Sequence, residues 1–125
     1  MTTGTKATAT TTVTATNTAK TVGSGNLEVF ATPMMIALME EAACNALANH
    51  LEPGQSSVGT EVAISHTAPS RLGATITATA IIEEIDKRRV VFSVSASDDA
   101  GEIGAGRHIR FIIDAEKFMD KVAER

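Results

Sequence analysis

The most apolar segment of the chain reads TPMMIALMEEAACNALANH at residues 32–50, and the predicted architecture follows from it. Its first two residues, Thr32 and Pro33, are typical of a helix start, because a hydroxyl can cap the free amides of the first turn and proline needs no partner there. The segment ends shortly before Pro53, which is followed by glycine and closes a helix. Apolar side chains point in almost every direction around the helix axis. The sequence therefore predicts a buried helix from Pro33 to about His50, with Thr32 as its N-cap.

The segments on either side of this helix have the composition of β strands. Residues 6–22 alternate threonine with alanine or valine, which favours an edge strand over a low-complexity linker because β-branched residues suit a pleated sheet. Short turns separate the last three of the strands that follow the helix, so we expect them to form an antiparallel meander. A short polar helix or tail ends the chain. The strands predicted after the helix are Ser57–His66, Ala74–Ile85, Arg89–Ser97 and Glu102–Ile113.

This order of one strand, one buried helix and four strands predicts an α+β domain in which an antiparallel sheet curls around one long central helix. The chain has 125 residues, the length of a single domain, so residues 1–125 are expected to share one core. One helix leaves the outer face and the edges of such a sheet uncovered, and exposed edges associate unless they are paired. At least a dimer is therefore expected.

Composition excludes several classes of partner. The net charge is −4 and aromatic residues make up 3% of the chain, so neither a basic surface nor a stacking surface for nucleic acid is expected. No segment approaches the roughly 20 apolar residues that span a bilayer, and no apolar leader is present, which predicts a cytoplasmic protein without a membrane partner. The single cysteine, Cys44, permits no intrachain disulfide and no Cys/His metal site. Its apolar neighbours predict that it lies in the core.

Glu40 is the carboxylate that most needs an explanation, because it lies in the apolar helix. The polar stripe of that helix consists of Glu41, Asn45 and Asn49, and Glu40 lies about 100° away from it. The residues one turn before and after Glu40 are apolar, and a buried carboxylate without a partner is costly. Glu40 is therefore either a residue at the edge of the stripe that reaches solvent or a functional carboxylate.

His66 ends the second predicted strand. Alternation places it on the more apolar face of that strand, together with Val58, Thr60, Val62 and Ile64, and so towards the helix. An inward histidine is most often a satisfied core residue. An inward histidine, an inward glutamate and a threonine in one small domain also match the pattern of nucleophile, base and orienting acid.

Thr32 has a functional interpretation besides that of a cap. Free N–H groups and the positive dipole at a helix N-terminus can stabilise an oxyanion, while the hydroxyl attacks or positions an acyl group. Glu40 lies about 12 Å further along the helix axis. Direct contact between the two residues is therefore not expected, and His66 or water would have to bridge them.

The remaining candidates have structural interpretations. Gly101, Gly104 and Gly106 lie in a predicted hairpin, which indicates a bulge or close packing instead of a phosphate loop. His108 and Arg110 alternate on one strand face, which suits either an anion site or a solvated face.

Several segments together resemble the hot-dog-fold acyl-CoA thioesterases of the fluoroacetyl-CoA thioesterase type. The resemblance covers about residues 27–120 and preserves the order and spacing of a threonine, a glutamate and a histidine. The segments that carry it are VFATP at 29–33, LMEEAA at 38–43, LEPG at 51–54, VGT at 58–60, SHTA at 65–68, GAGRHIR at 104–110 and EKF at 116–118.

This resemblance implies a homodimer, with a tetramer as the larger alternative, in which sheets wrap the long helices and thioester sites lie at the subunit interface. It assigns Thr32, Glu40 and His66 as the catalytic set, and Gly59 and Arg110 as substrate-binding residues. The fluoroacetyl-specific enzyme has a phenylalanine-bearing lid where this chain has Gly-Ser-Gly-Asn at residues 23–26, which argues against selectivity for the fluoroacetyl group.

The expected activity is hydrolysis of a short or medium acyl-CoA to a carboxylic acid and CoA, without a metal or organic cofactor. His66 is the expected general base, Glu40 orients it or activates water, and Thr32 attacks or polarises the acyl group. Two other functions fit the same sequence, because a fold does not fix its chemistry. They are hydration of an enoyl-CoA on a hot-dog fold and non-catalytic binding of acyl-CoA.

Overall fold

The computed structural model describes residues 1–125 and contains five strands and three α helices. A single turn of 3-10 helix, Ala48–His50, extends the long helix. In chain order the elements are β1 Lys6–Thr12, α1 Ala19–Val22, α2 Thr32–Leu47, β2 Gln55–His66, β3 Thr75–Asp86, β4 Arg89–Asp98, β5 Gly101–Asp114 and α3 Ala115–Ala123.

The five strands form one antiparallel sheet in the order β1-β3-β4-β5-β2. The predicted meander of the last three strands is confirmed, and each predicted strand after the helix agrees with the observed one to within two residues. β1 and β2 are the two edges of the sheet. β5, which carries His108 and Arg110, lies inside it, between β4 and β2.

Helix α2 packs across the concave face of this sheet and supplies one side of the core. Its buried residues are Met35, Leu38, Met39, Ala42, Ala43, Ala46 and Leu47. They meet apolar side chains of the strands, among them Ile76, Ile82, Val90 and Phe92, all fully buried. The predicted architecture of a sheet curled around a long helix is confirmed.

The expectation that α2 is buried on all sides is wrong for the single chain. Ala37, Glu41 and Cys44 are exposed, and they fall within about 60° of one another around the axis, on the side away from the sheet. The prediction of Cys44 as a core residue is therefore wrong as well. The sheet covers only one side of the helix, and small residues such as alanine and cysteine do not by themselves show which side that is.

The N-terminal strand is shorter than predicted. It ends at Thr12, and Asn17 turns the chain by donating to the Thr12 carbonyl and accepting from the Thr14 amide. Thr18 then caps the short helix α1 by accepting from the Thr21 amide. Thr18 and Asn17 are buried, so the end of the threonine-rich segment is a packed turn.

The C-terminal segment forms the predicted short helix, α3, which Asp114 caps by accepting from the Lys117 amide. No helix in the structure has both the length and the apolar character needed to span a bilayer.

Candidate active site

Thr32 and His66 meet where α2 begins and β2 ends. The Thr32 hydroxyl oxygen lies 2.7 Å from Nδ1 of His66. Both residues line a cleft of about 280 Å³. The other residues around that cleft are Ala19, Ser24, Val29, Phe30, Thr67, Ala68 and Pro69.

Thr32 is not the N-cap that the sequence predicts. Ala31 occupies that position without a side-chain hydrogen bond, and Thr32 is the first residue of the helix, followed by Pro33. The amides of Met34 and Met35 both donate to the Ala31 carbonyl, which leaves fewer free amides at this helix start than expected. The Thr32 hydroxyl is therefore available to His66 because the backbone satisfies the first turn without it.

His66 lies on the helix-facing side of β2, as predicted, but it does not share that face with Val58 and Thr60. A β-bulge between Gly59 and Glu61 leaves Thr60 opposite no residue of β5. One extra residue inverts the alternation. The face of His66 therefore continues through Ile64 and Val62 to Gly59 on the far side of the bulge.

The protonation state of His66 suits a general base. Burial lowers the pKa of its imidazole, and the backbone of Ala68 opposes part of that effect. If the Thr32 hydroxyl donates to Nδ1, the neutral ring carries its proton on Nε2. Nε2 is buried, and no group of the chain, the Ala68 backbone included, accepts from it in hydrogen-bonding geometry. Thr32 and His66 therefore form a pair that resembles a nucleophile and its base. Within the chain, no acceptor orients the His66 ring through Nε2.

Glu40 is placed elsewhere within the chain. Its carboxylate Oε2 lies 3.2 Å from Nη1 of Arg110, and its side chain is 39% exposed. It makes no hydrogen bond to Thr32 or His66. The absence of direct contact with Thr32 agrees with the prediction, whereas the expected bridge through His66 is not made within one chain.

His108 and Arg110 are not on a solvated face. Only 1% of His108 and 6% of Arg110 is exposed, because β5 is an inner strand, His108 stacks on Phe92, and Arg110 lies between Ser57 and Glu40. The Arg110 guanidinium donates to Nε2 of His108 at 3.1 Å and to both the hydroxyl and the carbonyl of Ser57 at 2.9 and 3.0 Å. The anion that this pair holds is Glu40.

Gly59 lies directly beneath this group. It pairs with Arg110 across the sheet, and a Cβ atom at this position would lie 2.7 Å from Oε2 of Glu40 and 3.0 Å from the His108 ring. Only glycine leaves room for the carboxylate here. The role of Gly59 and Arg110 as substrate-binding residues stays a prediction, since the Arg110 guanidinium is already occupied by protein groups.

Gly104 and Gly106 of β5 are packing residues, as the sequence indicates, whereas Gly101 has open space around it and a positive φ of 135°. A Cβ at Gly104 would lie 2.6 Å from the Ser65 carbonyl oxygen and 2.8 Å from the sulfur of Met35, and one at Gly106 would collide with the Ala63 carbonyl. No group of three His, Cys, Asp or Glu side chains comes together in a way that could hold a metal ion.

Sequence reasoning did not connect His108, Arg110 and Ser57 with Glu40. The available signal was the alternation of His108 and Arg110 on a central strand, which places both on the face that meets the helix. The bulge in β2 hid the contribution of Ser57, because it changes which residues of β2 share that face.

Comparisons with known proteins identify relatives of this chain. The family model described as "FlK: Fluoroacetyl-CoA-specific thioesterase" matches residues 13–116. A fluoroacetyl-CoA thioesterase from Streptantibioticus cattleyicolor is 46% identical over 98 residues, which cover 78% of this chain and 70% of that protein.

Solved structures give the same result. A fluoroacetyl-CoA thioesterase structure superposes with a TM-score of 0.94 at 38% identity, covering 100% of this chain and 97% of the other. A thioesterase superfamily member from Thermus thermophilus gives 0.90 at 28% identity, covering 98% and 91%. A hot-dog-like protein from Thermanaerovibrio acidaminovorans gives 0.89 at 28% identity, with the same coverage. The sheet wrapped around α2 is a hot-dog fold, as predicted.

Proposed function

Because this chain belongs to the fluoroacetyl-CoA-specific thioesterase family, we propose that it hydrolyses a short or medium acyl-CoA through Thr32, His66 and Glu40. The observation that carries the proposal is the 2.7 Å contact between the Thr32 hydroxyl and Nδ1 of His66 in a cleft. A hydroxyl bonded to a neutral histidine is the arrangement that activates an oxygen nucleophile.

The reaction then follows from the position of the base. Nδ1 of His66 takes the proton of the attacking oxygen, which forms a bond to the thioester carbonyl carbon. The carbon–sulfur bond breaks, and the proton passes from His66 to the CoA sulfur, so that CoA leaves as a thiol. The attacking oxygen is either that of Thr32, whose acyl ester water then hydrolyses, or that of a water molecule held by Thr32. Both routes release a carboxylic acid.

Glu40 completes this set when two chains associate. Oε2 of Glu40 is held by Arg110, and Oε1 makes no hydrogen bond. Nε2 of His66 needs an acceptor. A carboxylate that accepts from the base fixes its ring and stabilises the imidazolium. We propose that Glu40 of the partner subunit supplies this acceptor.

The edge strand β2 provides the register for that arrangement. Its side chains at Val62 and Ala63 are exposed although apolar, and an unpaired edge associates readily. A two-fold axis beside these two residues pairs β2 with its copy so that His66 lies opposite Gly59 of the partner subunit. Within one chain Gly59 lies beneath Glu40, so this register brings the carboxylate of one subunit towards the histidine of the other.

The proposed function is tested by release of free thiol from a panel of acyl-CoAs, from acetyl and fluoroacetyl to longer chains. We expect turnover with short or medium chains and a loss of at least about 100-fold in the Glu40→Gln variant. Glu41→Gln is the matched control, because Glu41 is the next residue of the same helix and is exposed. Absence of thiol from every substrate would overturn the proposal, in favour of enoyl-CoA hydration or acyl-CoA binding without turnover.

Two properties follow from the same proposal. Light scattering coupled to size exclusion should give a dimer or a tetramer, and a monomer would contradict the shared site. Ser24, from the segment that replaces the lid, lines the cleft, so we expect similar kcat/KM values for acetyl-CoA and fluoroacetyl-CoA. A large preference for the fluorinated substrate would contradict the expectation that residues 23–26 do not select the fluoroacetyl group.

A further inference from the structure

His108 is the most deeply buried ionisable side chain next to Glu40, and the mechanism above does not use it. It is 1% exposed and stacks on Phe92, with the ring centroids 6.2 Å apart. Its Nδ1 lies 2.8 Å from the Glu61 carbonyl oxygen, and its Nε2 lies 3.1 Å from Nη1 of Arg110. Both ring nitrogens therefore have a defined partner.

These two partners fix the tautomer of the ring. Arginine has only donors, so Nε2 must accept the Arg110 hydrogen bond with its lone pair. The proton of the neutral ring then lies on Nδ1 and is donated to the Glu61 carbonyl. Burial lowers the pKa of His108, and the neighbouring Arg110 charge lowers it further, whereas Glu40 and the Glu61 carbonyl oppose the shift. The ring is neutral, and its 3.7 Å approach to Oε2 of Glu40 is not an ion pair.

The neutral His108 ring determines the direction of the Arg110 hydrogen bond to Glu40. Nη1 of Arg110 carries two hydrogens, and they go to His108 and to Glu40. On the other edge of the guanidinium, Nε donates to the Ser57 hydroxyl and Nη2 donates to the Ser57 carbonyl. Since the guanidinium is planar, a bond to His108 at one of these hydrogens fixes the direction of the other. Protonation of His108 would place a second cation against Arg110 and turn this support into repulsion.

We propose that His108 is a positioning residue, which as a neutral hydrogen-bond acceptor orients Arg110 and thereby holds the Glu40 carboxylate in its reactive position. This inference rests on the proposed function, in which Glu40 completes the catalytic set. Arg110 then has a supporting role, because four of its five N–H groups are bound within the protein and His108 decides the direction of the one that reaches Glu40.

The kinetic test uses His108→Leu and His108→Gln, each in the wild-type chain and in Glu40→Gln. His108→Leu removes the acceptor, and we expect kcat for thiol release to fall roughly ten- to a hundredfold with little change in KM. Glutamine places an acceptor near the position of Nε2 and should recover most of that loss. In the Glu40→Gln background, His108→Leu should cause no further loss of kcat, because its effect passes through Glu40. Equal losses in both backgrounds would overturn the inference.

A spectroscopic test needs no variant and no activity. Long-range ¹H–¹⁵N correlation spectra of the wild-type chain should show His108 neutral, with its proton on Nδ1, at pH 6.5, the ordinary histidine pKa. A charged ring, or a proton on Nε2, would contradict the arrangement.

Failure of the proposed function and failure of the His108 inference give different results. Full turnover in Glu40→Gln would overturn the role of Glu40 in the proposed function, and the positioning role of His108 with it. A clear loss in Glu40→Gln, combined with equal His108→Leu losses in both backgrounds, would overturn the His108 inference alone.

Discussion

Replacing Gly59 by alanine should separate the position of Glu40 from the stability of the fold. The new Cβ atom would lie 2.7 Å from Oε2 of Glu40, against an ordinary contact of about 3.4 Å, so one of the two must move by about 0.7 Å. Arg110 does not move with the carboxylate, because hydrogen bonds to His108 and Ser57 fix its guanidinium. The carboxylate moves instead, and a shift of about 0.7 Å away from Arg110 would lengthen its 3.2 Å hydrogen bond to at most about 3.9 Å, beyond hydrogen-bonding distance.

The expected loss of stability is small. A hydrogen bond between charged groups contributes about 1.5–3 kcal/mol, and the lower end applies because the Glu40 side chain is 39% exposed and water replaces part of the contact. Alanine in place of glycine lowers the conformational entropy of the unfolded chain, which stabilises the folded protein by about 0.4–1 kcal/mol. The net cost is about 1 kcal/mol, or a fall of about 4 °C in Tm.

The expected loss of activity is much larger, since a misplacement of nearly 1 Å in a reacting group costs up to about 100-fold in rate. Thiol release and thermal unfolding are measured on the same preparation, with Thr60→Ala as the control. Thr60 is the neighbouring exposed residue of β2, and its side chain makes only a 3.4 Å hydrogen bond to the Ile109 carbonyl. Turnover of Gly59→Ala within about twofold of wild type would refute the argument that the carboxylate must occupy its present position.

Further predictions concern the base, the nucleophile and the packing of β5. Thr32→Val keeps the shape of the side chain and removes the hydroxyl; thiol release should fall at least about 100-fold, while the free energy of unfolding changes by less than about 0.5 kcal/mol because Thr32 is exposed. The neutral form of His66 is the reactive one and burial lowers its pKa, so the acid limb of the kcat/KM profile should lie below pH 6.5, and a limb above that value would contradict the assignment. Free energy of unfolding, measured with urea, should also decline as the pH falls below 6.5, because the unfolded chain then takes up protons at His66 and His108 that the folded chain does not. Gly104→Ala should destabilise the fold by about 1–3 kcal/mol, since its Cβ meets the Ser65 carbonyl and Met35, and unchanged urea denaturation would show that this contact yields.

Most of the fold could be predicted from local patterns. The four strands after the helix are bounded by turn residues and alternate with period two, and both signals act over a few neighbouring residues. Thr32 and Pro33 locate the start of α2, although the cap itself is Ala31. The errors concern burial. Which side of α2 faces water depends on where the sheet lies, and no local pattern of alanine and cysteine reveals that.

The candidate site could likewise be predicted only in part. The proximity of Thr32 and His66 agrees with a resemblance carried by ordered motifs. The surroundings of Glu40 could not be predicted, because they depend on the register between β2 and β5 and on a bulge that inverts the faces of β2 beyond Gly59. A period-two pattern assumes an uninterrupted strand, and one inserted residue changes every assignment on the far side of it.

The most direct test of the shared catalytic set is complementation between two inactive variants. His66→Ala and Glu40→Gln chains are co-expressed with different tags, and thiol release is measured on the dimers that carry both tags. If Glu40 of one subunit serves His66 of the other, each mixed dimer has one intact site and should show about half the wild-type activity per dimer. The control pairs His66→Ala with the double variant His66→Ala/Glu40→Gln, which leaves no intact site. Mixed dimers no more active than this control would contradict a site shared between subunits.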